Sequence, residues 1–493
     1  MRSNKASIMV HLDESIGIIN PNIYGHFAEH LGRCIYEGIW VGEDSTIPNT
    51  NGIRNDVVEA LKHIKPPVIR WPGGCFADDY HWEDGIGPRE NRPRTVNIHW
   101  GQVIDTNAFG THEFIEFCRM VGAEPYICGN VGSGSPREMR DWVEYCNFPG
   151  DSTRARQRAD NGHPEPFRVK YWGVGNENWG CGGNFDPEDY AVEYRRFSTF
   201  LNNFQDAPVY LIACGPSGNN PDWTHKFFEK LRGRGRIQGF AAHYYCGSAG
   251  TSTEYTIEQW YQLIHRSAYM EKLVVQQRAI MDGYDPERRI GLIVDEWGTW
   301  HPPAPNMEPR FLWQQNTMRD ALVAALSLDI FNRHADKVVM GNIAQTINVL
   351  QAMILTEGEK MITTPTYHAY HIYAPHQGGK ALRLFMDAEP ITFGDDNSMF
   401  GLTGSASIKD NKLFLTVVNP HVDQPAEACI TLRGGKAASG TANALVNDDI
   451  HAYNDFDSPD NVVPVKQNVT ASGEEFYHTF PPASVTALSI TLS

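Results

Sequence analysis

Two glutamates stand where a glycosidic bond could be cut. Glu177 ends the run Tyr171-Trp172-Gly173-Val174-Gly175-Asn176-Glu177, and Glu296 ends Gly291-Leu292-Ile293-Val294-Asp295-Glu296. Glycoside cleavage needs one carboxylic acid to protonate the leaving oxygen and one carboxylate to attack the anomeric carbon or activate water. Other residues close apolar runs in the same way: Glu29, Arg70, Asn130, Asn176, Gly215, His243 with Tyr245, and Asn342. Trp71, Trp82, Trp100, Trp172, Trp179, Trp297 and Trp300 lie at or near those ends. Flat rings suit the apolar faces of sugars. A lone Asn-Glu pair is a weak signal, because dipeptides recur by chance. Two glutamates in matching contexts, with tryptophans beside them, favour catalysis over ordinary loop carboxylates.

The elements that must position these groups are short apolar runs alternating with amphipathic segments. Strands are expected at 23–27, 68–71, 125–128, 169–174, 209–213, 239–242, 290–294 and 337–340. Helical patterns precede seven of them, at 53–64, 112–121, 136–146, 187–203, 223–231, 257–282 and 312–331. Asp186 and Pro187 read as an N-cap and first helical turn. Such alternation implies parallel strands joined by crossover helices. Eight strands favour a (β/α)8 TIM barrel over a doubly wound open sheet. In a barrel, functional groups project from the carboxyl ends of the strands. Glu177 and Glu296 then follow strands four and seven, across the mouth from each other. Beyond Gly378 the texture changes to strands and turn clusters. The expected organisation is a catalytic barrel over 19–378 and an all-β sandwich over 379–493, joined by an N-terminal strand within 1–18.

The chain has 493 residues, 41% hydrophobic and 11% aromatic, enough for a sizeable core. Lys and Arg number 42 against 59 Asp and Glu, a net charge of −17. Nucleic acids and anionic membranes need basic patches, so neither is an expected partner. No apolar stretch reaches the length of a membrane span. The opening Met1-Arg2-Ser3-Asn4-Lys5 lacks an apolar signal region. Nine cysteines, without a CxxC pair and several inside apolar runs, read as reduced thiols in a reducing, cytoplasmic setting. There the sequon Asn468-Val469-Thr470 is idle. His26-Phe27-Ala28-Glu29-His30 spells a zinc-protease pattern that needs a helix, and Gly25, Gly32 and Pro21 leave no room for one. Cys181-Gly182-Gly183-Asn184 lacks the Lys-Ser/Thr of a phosphate loop and reads as a loop beside Glu177. Arg154–Arg158 and Arg232–Arg236 read as solvated loops, and Tyr367–His371 as a helix packed on the barrel.

Seven segments carry a specific likeness: Ile23-Tyr24-Gly25-His26-Phe27-Ala28-Glu29-His30, Arg70-Trp71-Pro72-Gly73-Gly74, Trp82-Glu83-Asp84-Gly85-Ile86-Gly87-Pro88, Gly173-Val174-Gly175-Asn176-Glu177, His243-Tyr244-Tyr245, Asp295-Glu296-Trp297 and Asn348-Val349-Leu350-Gln351. The chain resembles the α-L-arabinofuranosidases of glycoside hydrolase family 51, retaining enzymes with the acid/base on strand four and the nucleophile on strand seven. The resemblance implies Glu177 as general acid/base and Glu296 as nucleophile. Asn176 would bind the sugar 2-hydroxyl, Arg70 would keep Glu296 ionised, and Tyr245 would orient it. His243, Glu29 and Gln351 would line the pocket, with Trp100, Trp179 and Trp300 as further contacts. Cys75 departs from the Asn found in many members and reads as a small apolar filler beside the sugar. The implied activity is exo-acting release of terminal arabinofuranosyl groups from arabinoxylan- or arabinan-derived oligosaccharides, without metal or cofactor. The family also implies a homo-oligomer, with a hexamer favoured. The alternatives are a retaining endo-β-glucanase or β-xylosidase in the same barrel, or a non-catalytic carbohydrate-binding protein.

Overall fold

The computed structural model describes residues 4–204 and 206–493, so residues 1–3 of the expected N-terminal segment lie outside the described residues. Eight strands close a parallel barrel in chain order: Gly25–Phe27, Val68–Trp71, Glu124–Gly129, Tyr171–Val174, Tyr210–Ala213, Gly239–Tyr245, Gly291–Gly298 and Val338–Ala344. The eighth returns to the first through Asn342 opposite Gly25. Val68, Tyr126, Tyr171, Ile212, Ala241, Ile293 and Met340, one from each of seven strands, fill the barrel interior as a single cluster. Interior layers of this kind make the barrel a packed core rather than a pore.

The helices between strands start where their caps dictate. Ser135 accepts from the Glu138 N–H and Pro136 supplies the first turn of Pro136–Asn147. Thr256 with Gln259 and Thr317 with Asp320 form reciprocal capping boxes. Three sequence expectations change. The first barrel strand is shorter, because Pro21–Tyr24 is a 3-10 turn capped by Asn20. The segment 257–282 is two helices, Ile257–Ser267 and Tyr269–Tyr284. The basic run at Arg154–Arg158 is not a solvated loop but part of the helix Thr153–Asp160. There Arg158 is buried and donates to the carbonyls of Tyr145, Phe148, His163 and Pro164.

The N-terminal strand Asn4–Ile18 sits inside the C-terminal sheet, antiparallel to Lys380–Asp387 and parallel to Ala426–Arg433. One nine-stranded antiparallel-rich sheet curls around an apolar core that includes Ile8, Val10, Leu415, Ile430, Phe480 and Leu488, giving the β-sandwich. The helix Met318–Arg333 lies in the seam between barrel and sandwich, buried along nearly its whole length. Its Asp329 accepts from Ser405, Thr416 and Tyr373 hydroxyls at 2.6, 2.6 and 2.8 Å. Among the described residues, no helix is long and apolar enough to cross a membrane.

Candidate active site

The seventh barrel strand carries an irregularity that sets the site. Ile293 pairs with Ala241 and Glu296 with His243, so three residues oppose two; the other neighbour shows the same excess between Val294 and Trp297. This is a β-bulge, a feature that re-aims side chains. In a regular strand Asp295 and Glu296 would face opposite sides of the sheet. Here both reach Arg70 at the end of the second strand. Arg70 Nη1 donates to Glu296 Oε1 at 2.7 Å, and its Nε lies 3.5 Å from Asp295 Oδ2. Arg70 Nη2 donates to Asn176 Oδ1 at 2.6 Å, which joins the second, fourth and seventh strands. Gly74 lines the same spot, where a Cβ would stand 2.9 Å from Glu296 Oε1.

Glu296 is 5% exposed and accepts from the Tyr245 hydroxyl at 3.0 Å. Burial pushes its carboxyl up, while the His243 and Arg70 cations pull the other way. Glu177 follows the fourth strand in a left-handed conformation, φ 40°, a strained backbone for a side chain of this size. Its Oε1 lies 2.9 Å from His243 Nδ1, which is 3.5 Å from Glu296 Oε2. Oxygens of Glu177 and Glu296 and a nitrogen of His243 all lie within 4.8 Å of one another. That donor set has the spacing of a metal site, and one of its members, Glu296, is already bonded to Arg70. His243 Nε2 faces Asp295 Oδ1 at 3.0 Å. Burial would lower the His243 pKa, yet Glu296, Asp295 and Glu177 raise it to about 10.

Glu29, at the end of the first strand, is fully ringed by donors. It accepts from Trp100 Nε1 at 2.9 Å, the Phe76 N–H at 3.2 Å and Gln345 Nε2 at 2.7 Å. Burial and repulsion from Glu296 outweigh these and raise it to about 7. Trp300 is 37% exposed and meets Tyr245 edge to face at 5.0 Å, and Trp179 and Trp100 are half-buried. Trp71, Trp172 and Trp297 are buried in the barrel wall and Trp82 in the turn Trp82–Gly85 against Trp142, so they are no sugar platform. Gln351 is not brought to the pocket surface. It is fully buried, accepting from the Thr299 N–H at 2.9 Å and donating to the Asp320 carbonyl at 2.7 Å. His26 lies in a strand with both ring nitrogens unpartnered, while His30 bonds Asp105 at 2.6 Å, so the two share no ligand face.

The cysteine reading is corrected most. Cys75 is neither a filler nor a free thiol; it forms a disulfide with Cys181, Cα atoms 5.5 Å apart. The other seven cysteines are free. The bond ties the loop after strand two to the loop after strand four, and Cys181 Sγ lies 3.7 Å from Glu177 Oε2. Both loops also meet at Asp78, which accepts from the N–H groups of Val131, Gly132 and Asn176. Gly182 must be glycine there, because a Cβ would stand 1.9 Å from the Asn176 carbonyl oxygen.

Known proteins resemble this chain along nearly its whole length. Residues 60–261 match the Alpha-L-arabinofuranosidase 1 domain and residues 295–484 the Alpha-L-arabinofuranosidase C-terminal domain. An "Intracellular exo-alpha-L-arabinofuranosidase" of Bacteroides ovatus is 44% identical over 93% of this chain and 90% of its own length. The chain belongs to the α-L-arabinofuranosidases of glycoside hydrolase family 51. The crystal structure of the family 51 arabinofuranosidase from Xanthomonas axonopodis pv. citri superposes with TM-score 0.96, at 42% identity, covering 99% of this chain and 100% of that one. The arabinose complex of the Thermotoga maritima enzyme gives TM-score 0.87 at 32% identity, covering 98% of this chain and 99% of that one. Asp78, Asp295 and Gln345 are the parts of this site that residue-by-residue reading passed over, and Cys181, read as part of a loop beside Glu177, was not paired with Cys75. For Cys181 a signal existed: it and Cys75 both follow strand ends, whereas Cys128 and Cys214 sit within or against strands.

Proposed function

We propose that this glycoside hydrolase is a retaining, exo-acting α-L-arabinofuranosidase working by double displacement. The observation that carries the reading is the approach of the two glutamates, with carboxylate oxygens within 4.8 Å. Retaining enzymes hold their carboxyl groups about 5–5.5 Å apart, and inverting ones need roughly 6.5–9.5 Å to seat a water.

In the first step Glu296 attacks the anomeric carbon as the bond to the leaving oxygen breaks, and Glu177 gives its proton to that oxygen. Arg70 and Tyr245 hold Glu296 in line. In the second step Glu177, now a carboxylate, takes a proton from water, whose oxygen attacks the anomeric carbon and releases Glu296. Loss of the Glu296 charge in the covalent intermediate removes a repulsion that would disfavour that carboxylate. Asn176 and Glu29 would bind furanose hydroxyls, with Trp100 and Trp300 as further contacts. No cofactor enters these steps.

The substrates would be arabinoxylan- or arabinan-derived oligosaccharides with terminal arabinofuranosyl groups. The name of the Bacteroides ovatus relative supports both exo action and a cytoplasmic setting. The free cysteines alone no longer argue for that setting, since one pair is bonded. A homo-oligomer, with a hexamer favoured, rests on the family likeness. The test is release of nitrophenol from 4-nitrophenyl α-L-arabinofuranoside with chelator present. Rapid release is expected; none from folded protein would overturn the reading.

A further inference from the structure

The bulge on the seventh strand turns a third carboxylate, Asp295, toward the site, and the double displacement above gives it no role. Asp295 is 2% exposed and cannot reach a sugar. Its Oδ2 accepts from the Tyr126 hydroxyl at 2.8 Å and faces Arg70 Nε at 3.5 Å. Its Oδ1 faces His243 Nε2 at 3.0 Å, and the opposite ring nitrogen faces Glu177 Oε1 at 2.9 Å. Asp295 and the proposed acid/base thus stand within ion-pair distance of opposite nitrogens of one imidazole.

We propose that Asp295 is a positioning residue for Glu177: it fixes the His243 ring with N–H at Nε2, so that Nδ1 and Glu177 share the one proton the leaving group needs. The inference rests on the reading of Glu177 as acid/base. A carboxylate on one nitrogen forces the proton there and presents the other nitrogen in a defined state, as the buried aspartate of a Ser-His-Asp triad does for its histidine. With Nε2 committed, a single proton lies between Nδ1 and Glu177, 2.9 Å apart. The groups facing the ring are Asp295 and Glu296 from the seventh strand and Glu177 from the fourth, with Arg70 from the second strand behind both acids. The negative charge of Asp295 disfavours loss of the shared proton. Burial would raise Asp295 itself, but Arg70 and His243 hold it below the usual carboxylate range, so it stays charged. An amide at 295 would remove the charge and could donate to Nε2, reversing the tautomer.

The test is Asp295→Asn assayed on an arabino-oligosaccharide and on 4-nitrophenyl α-L-arabinofuranoside. General acid catalysis contributes about 10²–10⁴-fold, so we expect a loss of about 10²-fold on the oligosaccharide and under about tenfold on the aryl glycoside, whose leaving group needs little protonation. The alkaline limb of kcat/KM should move to lower pH. In a His243→Gln background, Asp295→Asn should add under about threefold, because its effect runs through the ring. Equal losses on both substrates with an unmoved limb, or full additivity with His243→Gln, would overturn the proposal. If circular dichroism shows Asp295→Asn unfolded, His243→Gln alone must show the same substrate split, and its absence would overturn it as well. Glu177→Ala run in parallel separates the two ideas. No split there removes the acid/base reading itself; a split there but not in Asp295→Asn removes only the role of Asp295.

Discussion

Buried carboxylates occupy two regions of this molecule, and their partners differ. In the seam between barrel and sandwich, Asp329 is surrounded by the hydroxyls of Ser405, Thr416 and Tyr373. Those neutral donors offset only part of the burial cost, and its pKa rises to about 6. At the barrel mouth Asp295 and Glu296 share Arg70 and His243, both cationic. Asp295 is held low there, although it is as deeply buried. Hydroxyls satisfy a carboxylate's geometry in either protonation state, whereas a cation selects the charged form. The seam is therefore built for cohesion, whereas at the mouth Arg70 and His243 keep Asp295 charged, although burial still raises Glu296 and Glu29.

The largest test of that contrast is Glu296→Ala. It should cost at least about 10⁴-fold in turnover, since it removes the nucleophile outright. Its melting temperature should stay near that of the parent or exceed it, because a buried carboxylate in a crowded site is lost. A parallel drop in stability would place Glu296 with the structural acids. Glu177→Ala should lose about 10³-fold on oligosaccharides and about tenfold on aryl glycosides, within the range of general acid catalysis. Equal losses on the two would remove its assignment.

A third test concerns the bond between the mouth loops. Replacing Cys75 and Cys181 together by serine opens a loop closed over a sequence separation of 106. Disulfides across long loops typically stabilise by about 2–4 kcal/mol. Chemical denaturation should show a loss in that range, and no change would mean the thiols are not bonded in solution. The smallest effect is at the seam. Asp329 binds its proton more tightly folded, at about 6, than the ordinary 3.8. Its contribution therefore favours folding below pH 4 and is lost as pH rises toward 6, by roughly 2–3 kcal/mol. Asp329→Asn should flatten the stability profile across that window relative to the parent; an unchanged slope would break the contrast.

Much of the barrel was legible, for reasons visible in particular residues. Runs such as Tyr171–Val174 are apolar on both faces because both faces are buried. The residue after each run then marks the mouth, which located Glu29, Arg70, Asn176 and Glu177. The same logic misled for Trp71, Trp82, Trp172 and Trp297, since nearness to a strand end does not say whether a ring points to the mouth or into the wall. Asp295 stayed hidden because strict alternation sends it away from Glu296, and only the bulge turns it back. Gln345, not Gln351, touches Glu29. Nothing in the local pattern separates two glutamines six residues apart in one loop. Cys75 and Cys181 are too distant in sequence for spacing to pair them. Arg158 read as solvated because a charged run hides a buried guanidinium that finds four carbonyls.

The most direct test of the account is the anomeric configuration of the first-formed arabinose, followed by proton NMR during hydrolysis of an aryl α-L-arabinofuranoside. Carboxylate oxygens of Glu177 and Glu296 within 4.8 Å predict the α-anomer first, with the β-anomer appearing only by mutarotation. Initial formation of the β-anomer would mean a single displacement by water, and would contradict Glu296 as the nucleophile.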